Sequence, residues 1–187
     1  MKTKLLLLCL LAPFFLNAQN KTVEKSVWNV QASYSGLYLN NETALNNKLA
    51  LRLEMGLTPT YISSTSVNSA GVLFSPLINV EPRFYYNIKK RSDSGKKTAG
   101  NSADFFTIST LYNSDVFLIS TISGAKRPFN DLYIIPKWGM RRVYNNFNFE
   151  AGLGAGIVTY LGEKRRISAN KSSDFAIDVH LRIGYKF

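Results

Sequence analysis

The sequence predicts an all-β fold, an eight-stranded antiparallel up-and-down transmembrane β-barrel, on three observations. Apolar and polar residues alternate with period 2 in segment after segment, as strands require, and no helical period of 3.6 persists. The alternating segments are long. About 13 residues at about 3.3 Å each reach about 43 Å, and a tilt near 45° projects that onto the roughly 30 Å of a bilayer's hydrocarbon core. Aromatic residues also gather toward segment ends, where a strand crossing a membrane meets the interfaces.

The first residues place Lys2 and Lys4 before an apolar run from Leu5 to Leu16, followed by small and polar residues. That layout is a secretory signal peptide, and the run is too short for a membrane anchor. Residues 1–18 are therefore expected to be cleaved, leaving 19–187 as a single barrel domain. Cys9, the only cysteine, goes with the signal, so no disulfide is expected. Loss of Lys2 and Lys4 lowers the net charge from +11 to +9. The 12 Phe and 10 Tyr argue against disorder, because disordered chains are poor in aromatics.

Eight segments carry the strand pattern: 26–39, 48–62, 72–89, 103–112, 115–122, 131–143, 147–160 and 174–187. The first sets Trp28, Val30, Ala32, Tyr34 and Tyr38 against Asn29, Gln31 and Ser33. The second sets Leu49, Leu51, Leu53, Met55 and Leu57 against Arg52 and Glu54. The third sets Ile78, Val80, Phe84 and Tyr86 against Asn79, Glu81 and Arg83. Segments four and five alternate less clearly. In the sixth, Lys137, Gly139 and Arg141 oppose Trp138 and Met140. The seventh opposes Phe147, Phe149, Leu153 and Ile157 to Asn148, Glu150 and three glycines. Asn145 and Asn146 between them read as a tight hairpin, since Asn tolerates positive φ. The intervening stretches are rich in Asn, Ser, Gly and charge, as turns are. With no helices between strands, neighbours should pair antiparallel. Pro76, Pro82 and Pro136 fall inside strands and each must interrupt a ladder.

The last segment alternates Phe175, Ile177, Val179, Leu181, Ile183, Tyr185 and Phe187 with Asp178, His180, Arg182 and Lys186. This closing pattern resembles the C-terminal signature of bacterial outer-membrane β-barrel proteins, and the size is similar to that of the small eight-stranded kind. The resemblance implies that Tyr185 and Phe187 form the signal read by the barrel-assembly machinery. It also implies an outer-membrane, monomeric protein in contact with membrane lipids and lipopolysaccharide. Counting strands from that end puts Trp28, Tyr112, Tyr144, Phe147, Tyr185 and Phe187 at one rim. It puts Tyr38, Phe84, Tyr86, Phe105, Tyr160 and Phe175 at the other.

If the apolar face meets lipid, the lumen receives Arg52, Glu54, Glu81, Arg83, Lys137, Arg141, Glu150, Asp178, His180, Arg182 and Lys186. Eight strands leave a bore just wide enough for side chains to fill. Charges crowded there must pair, so a structural ion network is expected. His180 lacks a recognisable nucleophile partner and reads as a member of that network rather than a base. Gly152, Gly154 and Gly156 lack the Gly-Lys-Ser/Thr of a phosphate loop and instead make room for large lumen neighbours. No metal site and no cofactor are expected. Three basic clusters remain: Lys89, Lys90, Arg91, Lys96 and Lys97; Lys126 and Arg127; and Lys164, Arg165, Arg166 and Lys171. The strand count places all three on the exterior rim, suited to lipopolysaccharide phosphates. Nucleic acid would suit the charge but not an exported chain.

The expected role is non-enzymatic: envelope structure, or surface interaction through the loops. A narrow porin, a lipid A-modifying barrel enzyme and a soluble exported β-barrel that binds an apolar ligand stay open as alternatives.

Overall fold

The structure is a computed structural model that describes residues 23–64, 69–114, 116, 119–121, 130–161 and 172–187. The expected signal peptide, residues 1–18, lies outside the described residues. In chain order the elements are β1 (Ser26–Ser33), β2 (Gly36–Ala44), β3 (Leu49–Ser64), β4 (Ser69–Phe84), α1 (Ile88–Asp93), β5 (Asp104–Asn113), β6 (Ile119–Ser120), β7 (Asn130–Tyr144), β8 (Phe147–Leu161) and β9 (Ser173–Lys186).

Neighbouring strands pair antiparallel in chain order, except that β5 pairs directly with β7 and β6 with β4, and β9 returns to β1 with Tyr185 opposite Val30. The result is a closed eight-stranded barrel, in which β6 continues β5 along β4. Leu77 faces Asn113 and Phe74 faces Ile119, so six steps on one side match three on the other. A register shift of this kind is what a bulge produces.

The strand number agrees with the sequence reading, but its partition differs at two places. Segment 26–39 is a hairpin, β1–β2, turning at Tyr34 and Ser35. Ser33 Oγ accepts the Ser35 N–H at 3.0 Å, and Gly36 then adopts φ +146°, a conformation open to glycine. The outward set changes from Trp28 and Val30 to Leu37, so residue parity inverts across the turn. Tyr38 consequently faces the lumen and is buried, not lipid-facing as expected. Segments 103–112 and 115–122 are the two parts of a single barrel strand. These two corrections cancel in the count.

They also move the ends. The end that holds the Asn145–Asn146 turn and Phe187 is called proximal here, the opposite one distal. Phe84, Phe105 and Tyr86 belong to the proximal end and Tyr112 to the distal one, contrary to the expected rims. Outward Trp28, Phe84, Phe106, Trp138, Phe147 and Tyr185 therefore form a dense proximal girdle. The Tyr144–Phe147 hairpin forms as expected, with Asn145 at φ 53°.

Pro82 and Pro136 each keep one ladder and open the other. Pro82 pairs with Leu51 on β3, while the β4–β5 register skips Glu81 and Pro82. Pro136 pairs with Ile108 on β5, while the β7–β8 register skips Ile135 and Pro136. A missing N–H is tolerated where the strand need not donate on that side. Pro76 lies at the edge of the β5 pairing, where its carbonyl accepts the Ser114 N–H at 2.9 Å.

The interior has three levels. At the proximal end α1 and its flanks cap the bore, and Val23, Ala50, Tyr85, Ile88, Ala103 and Phe105 form an apolar cluster. The middle is charged. Toward the distal end Ile135, Val158 and Ala176 cluster with Tyr133 and Tyr160.

Gly139 shows how tightly the wall meets this interior. A β-carbon placed there would lie 2.5 Å from Phe105 Cζ. Gly139→Ala should therefore displace the ring and lower stability by about 1–3 kcal/mol, the usual range for overpacking. A urea unfolding titration of the variant beside the parent chain measures the shift, and an unchanged midpoint would refute the packing described.

Candidate functional site

The middle of the lumen is a charged layer built from every second residue of the inward faces. Buried there are Asn29 and Gln31 from β1, Asn40 and Glu42 from β2, and Arg52 and Glu54 from β3. Asn79, Glu81 and Arg83 come from β4, Lys137 and Arg141 from β7, Asn148 and Glu150 from β8, and His180 and Arg182 from β9. Strand alternation alone carries them inward, while the residues between them point out.

Glu150 is the hub. Arg83 grips it with both terminal nitrogens, at 2.8 and 2.9 Å. Arg52 Nη1 donates to its two oxygens at 3.2 Å each. Arg83 also donates to Glu81 Oε2 at 2.6 Å and to Glu42 Oε1 at 3.1 Å. Glu42 takes Arg141 Nη1 at 2.6 Å, and the hydroxyl of Tyr85 donates to its other oxygen at 2.6 Å. Glu54 pairs with Arg52 and takes Arg182 Nη1 at 2.6 Å. Bidentate, charge-assisted contacts of this sort are the strong class of hydrogen bond.

A second group lies distal to the hub. Lys137 Nζ donates to Asp178 Oδ2 at 3.2 Å and stands 3.6 Å from Glu81. His180 Nδ1 lies 2.9 Å from Asp178 Oδ1, and its Nε2 stops 3.7 Å from Glu150. Arg182 stacks over the Tyr38 ring at 4.3 Å. Neutral amides fill the gaps: Gln31 Oε1 accepts from Arg52 at 2.6 Å while its Nε2 donates to Asn148 Oδ1 at 2.7 Å.

The charges balance. Within this layer Arg52, Arg83, Lys137, Arg141 and Arg182 face Glu42, Glu54, Glu81, Glu150 and Asp178, five against five, while buried Asp131 lies further toward the distal end. This neutrality is what permits the layer to be dry. A cavity of about 170 Å³ remains on its distal side, bounded by Tyr34, Tyr38, Ser109, Lys137, His180 and Arg182.

Ten of the eleven residues expected in the lumen, from Arg52 through Arg182, are placed in this layer or at its distal edge, where Asp178 is half-buried. Lys186 is not among them; it sits half-buried at the proximal end beside Gly100. The sequence reading missed Glu42, which joins three arginines. It had been taken as part of a polar loop, although Tyr38, Asn40 and Glu42 recur at every second place. The glycines make room as expected, with different tenants: Gly152 gives way to the His180 ring and Gly154 to the Lys137 stem.

The first basic cluster lies at the end opposite to the one the strand count gave it. Lys90, Arg91, Lys96 and Lys97 lie in the α1 segment at the proximal end, where Lys97 stands over the Tyr144 ring at 4.3 Å. Lys126, Arg127, Lys164, Arg165, Arg166 and Lys171 lie outside the described residues, between strand ends that belong to the distal side. The merging of β5 with β6 causes this correction, because it removes one reversal from the count.

Comparison of the chain with family models, with curated proteins and with solved structures found no match.

The hub makes a sharp prediction. Glu150→Ala strands Arg83 and Arg52 without their shared partner and should cost about 3–5 kcal/mol, as breaking a buried pair does. A Glu54→Leu and Arg182→Met double variant removes both charges of an outlying pair and should unfold later than Glu54→Ala alone. Denaturant midpoints compare all three; equal losses for the single and double changes would contradict the pairing.

Proposed function

We propose that this chain is an integral outer-membrane barrel whose role is envelope structure or surface interaction, with no catalytic activity. The observation that carries the reading is the inversion of the two faces. Among the described residues thirty large apolar side chains are exposed, against fourteen buried apolar residues, so most of the apolar surface is on the outside. The inside holds Arg52, Arg83, Arg141 and Glu150 with essentially no exposure. A barrel in water would lose hydrophobic free energy over that whole outer surface, and a patch of that extent calls for an apolar surrounding. Closure supplies the second support, since a closed barrel leaves no strand edge unpaired in hydrocarbon.

The packed ion layer favours a stabilising lumen over a conducting one. The apolar cap at the proximal end and the arginine–carboxylate layer lie in series along the bore. Tyr185 on β9 and Phe187 just beyond its end are exposed and serve as the assembly signal in this reading. Lys126, Arg127, Lys164, Arg165 and Arg166 are the residues proposed to meet lipopolysaccharide.

Cell fractionation followed by electrophoresis with and without boiling tests the proposal. The chain should appear in the outer-membrane fraction and migrate differently once boiled. Recovery in a detergent-free soluble fraction would overturn it. Reconstitution into planar bilayers should give no steady conductance, and regular unitary steps would replace the structural reading with that of a narrow pore.

A further inference from the structure

The outer wall carries a feature that lumen packing does not explain. Pro82, Ile108, Pro136, Ala155 and Ile177 project outward from β4, β5, β7, β8 and β9, and Ile108 pairs with Pro136 as Ala155 does with Ile177. They form one row across five strands. The next outward row toward the proximal end is Phe84, Phe106, Trp138, Leu153 and Val179, each paired with the next. Low side chains beside tall ones make a groove of about 980 Å³. At about 4.8 Å per strand, the row is about 19 Å long.

The tall row that walls the groove also contacts a charged pocket on its proximal side. Tyr86 packs against Phe106 at 5.2 Å, and its hydroxyl accepts the Trp138 indole N–H at 3.0 Å. The same Tyr86 borders a second pocket, of about 540 Å³, with Lys90, Arg91, Lys96, Asp104 and Arg142. Four cations thus face one carboxylate. Asp104 is already engaged, with Arg142 at 2.6 Å and with the Asn87 amide at 2.6 Å. Arg91 is held in place by donating from Nε to the Ser102 carbonyl at 2.8 Å. Burial, and then the neighbouring Arg142 guanidinium, pull the Arg91 pKa below its ordinary value, the direction expected of cations short of a counter-charge.

We propose that pocket and groove together hold one anionic phospholipid of the adjoining leaflet. Its phosphate sits among Lys90, Arg91, Lys96 and Arg142, and an acyl chain lies along the proline row beyond Tyr86. The inference rests on the membrane-spanning reading above. Lysine and arginine suit a phosphate, the groove is lined by apolar side chains, and Tyr86 with Trp138 stands at the boundary between them, as aromatic residues do at a lipid interface. A free phosphate ester would use the cations and leave the groove empty.

Trp138 is the natural reporter, because Trp28→Phe leaves it the only tryptophan. The full chain carrying that change is reconstituted into phosphatidylcholine vesicles that contain brominated phosphatidylglycerol or, in equal amount, brominated phosphatidylcholine. The anionic lipid should quench Trp138 more strongly. Lys90→Gln and Lys96→Gln should each reduce that preference about fivefold, with the heat-dependent electrophoretic shift retained. Soluble glycerol phosphate should leave the quenching unchanged. Equal quenching by both lipids, a preference that survives both Lys90→Gln and Lys96→Gln, or relief by glycerol phosphate would each overturn the site. Absence of quenching by either lipid would instead defeat the membrane-spanning reading, and the site with it.

Discussion

Closing eight strands into a ring leaves a bore that side chains must fill, and in this chain the filling is charged. The rest of the structure depends on neutralising it. An arginine taken from water is tolerated only where carboxylates and amides meet its donors, and Arg83 meets three carboxylates at once. Arg141 finds Glu42 and Asn29, and Arg182 finds Glu54 and the Tyr38 face. The apolar residues are thereby left to the outer wall. The inversion of the faces and the ion layer are two aspects of one arrangement.

Much of this was legible in the residues because a strand has period 2. Once Leu53 is placed outside, Arg52 and Glu54 must be inside, and the same step assigns Glu81, Arg83, Glu150 and Arg182. What the pattern could not carry was the position of turns that lack a turn sequence. Tyr34 and Ser35 turn the chain without an Asn-Gly or Asp-Gly pair, so the hairpin passed for one strand and Glu42 passed for loop. The polar stretch after Asn113 reads as a turn, yet Ile119 and Ser120 pair with the same β4 that β5 follows. Partner choice is a long-range property, and local alternation does not contain it.

The two ends are built differently. The proximal end is sealed by a folded cap, where Tyr85 and Asn101 reach down to Glu42 and link the cap to the ion layer. It also bears the denser girdle of exposed aromatic residues. On the distal side the charged layer gives way to a small cavity and a modest apolar cluster. Pro82 and Pro136 open their ladders between these levels, where the outer wall is grooved.

The Glu150 hub has a consequence for the order of assembly. Arg52 and Arg83 stand 98 and 67 residues before their shared carboxylate, and Arg182 stands 128 after Glu54. Each half of the chain therefore carries charges that the other half cancels. A sheet that contains β3 and β4 but not yet β8 and β9 offers Arg52 and Arg83 only the carboxylates Glu54 and Glu81 of their own strands, without the Glu150 that both contact in the ring. The full set of contacts to Glu150, which joins β8 to arginines of β3 and β4, therefore exists only once the sheet has curled into its ring.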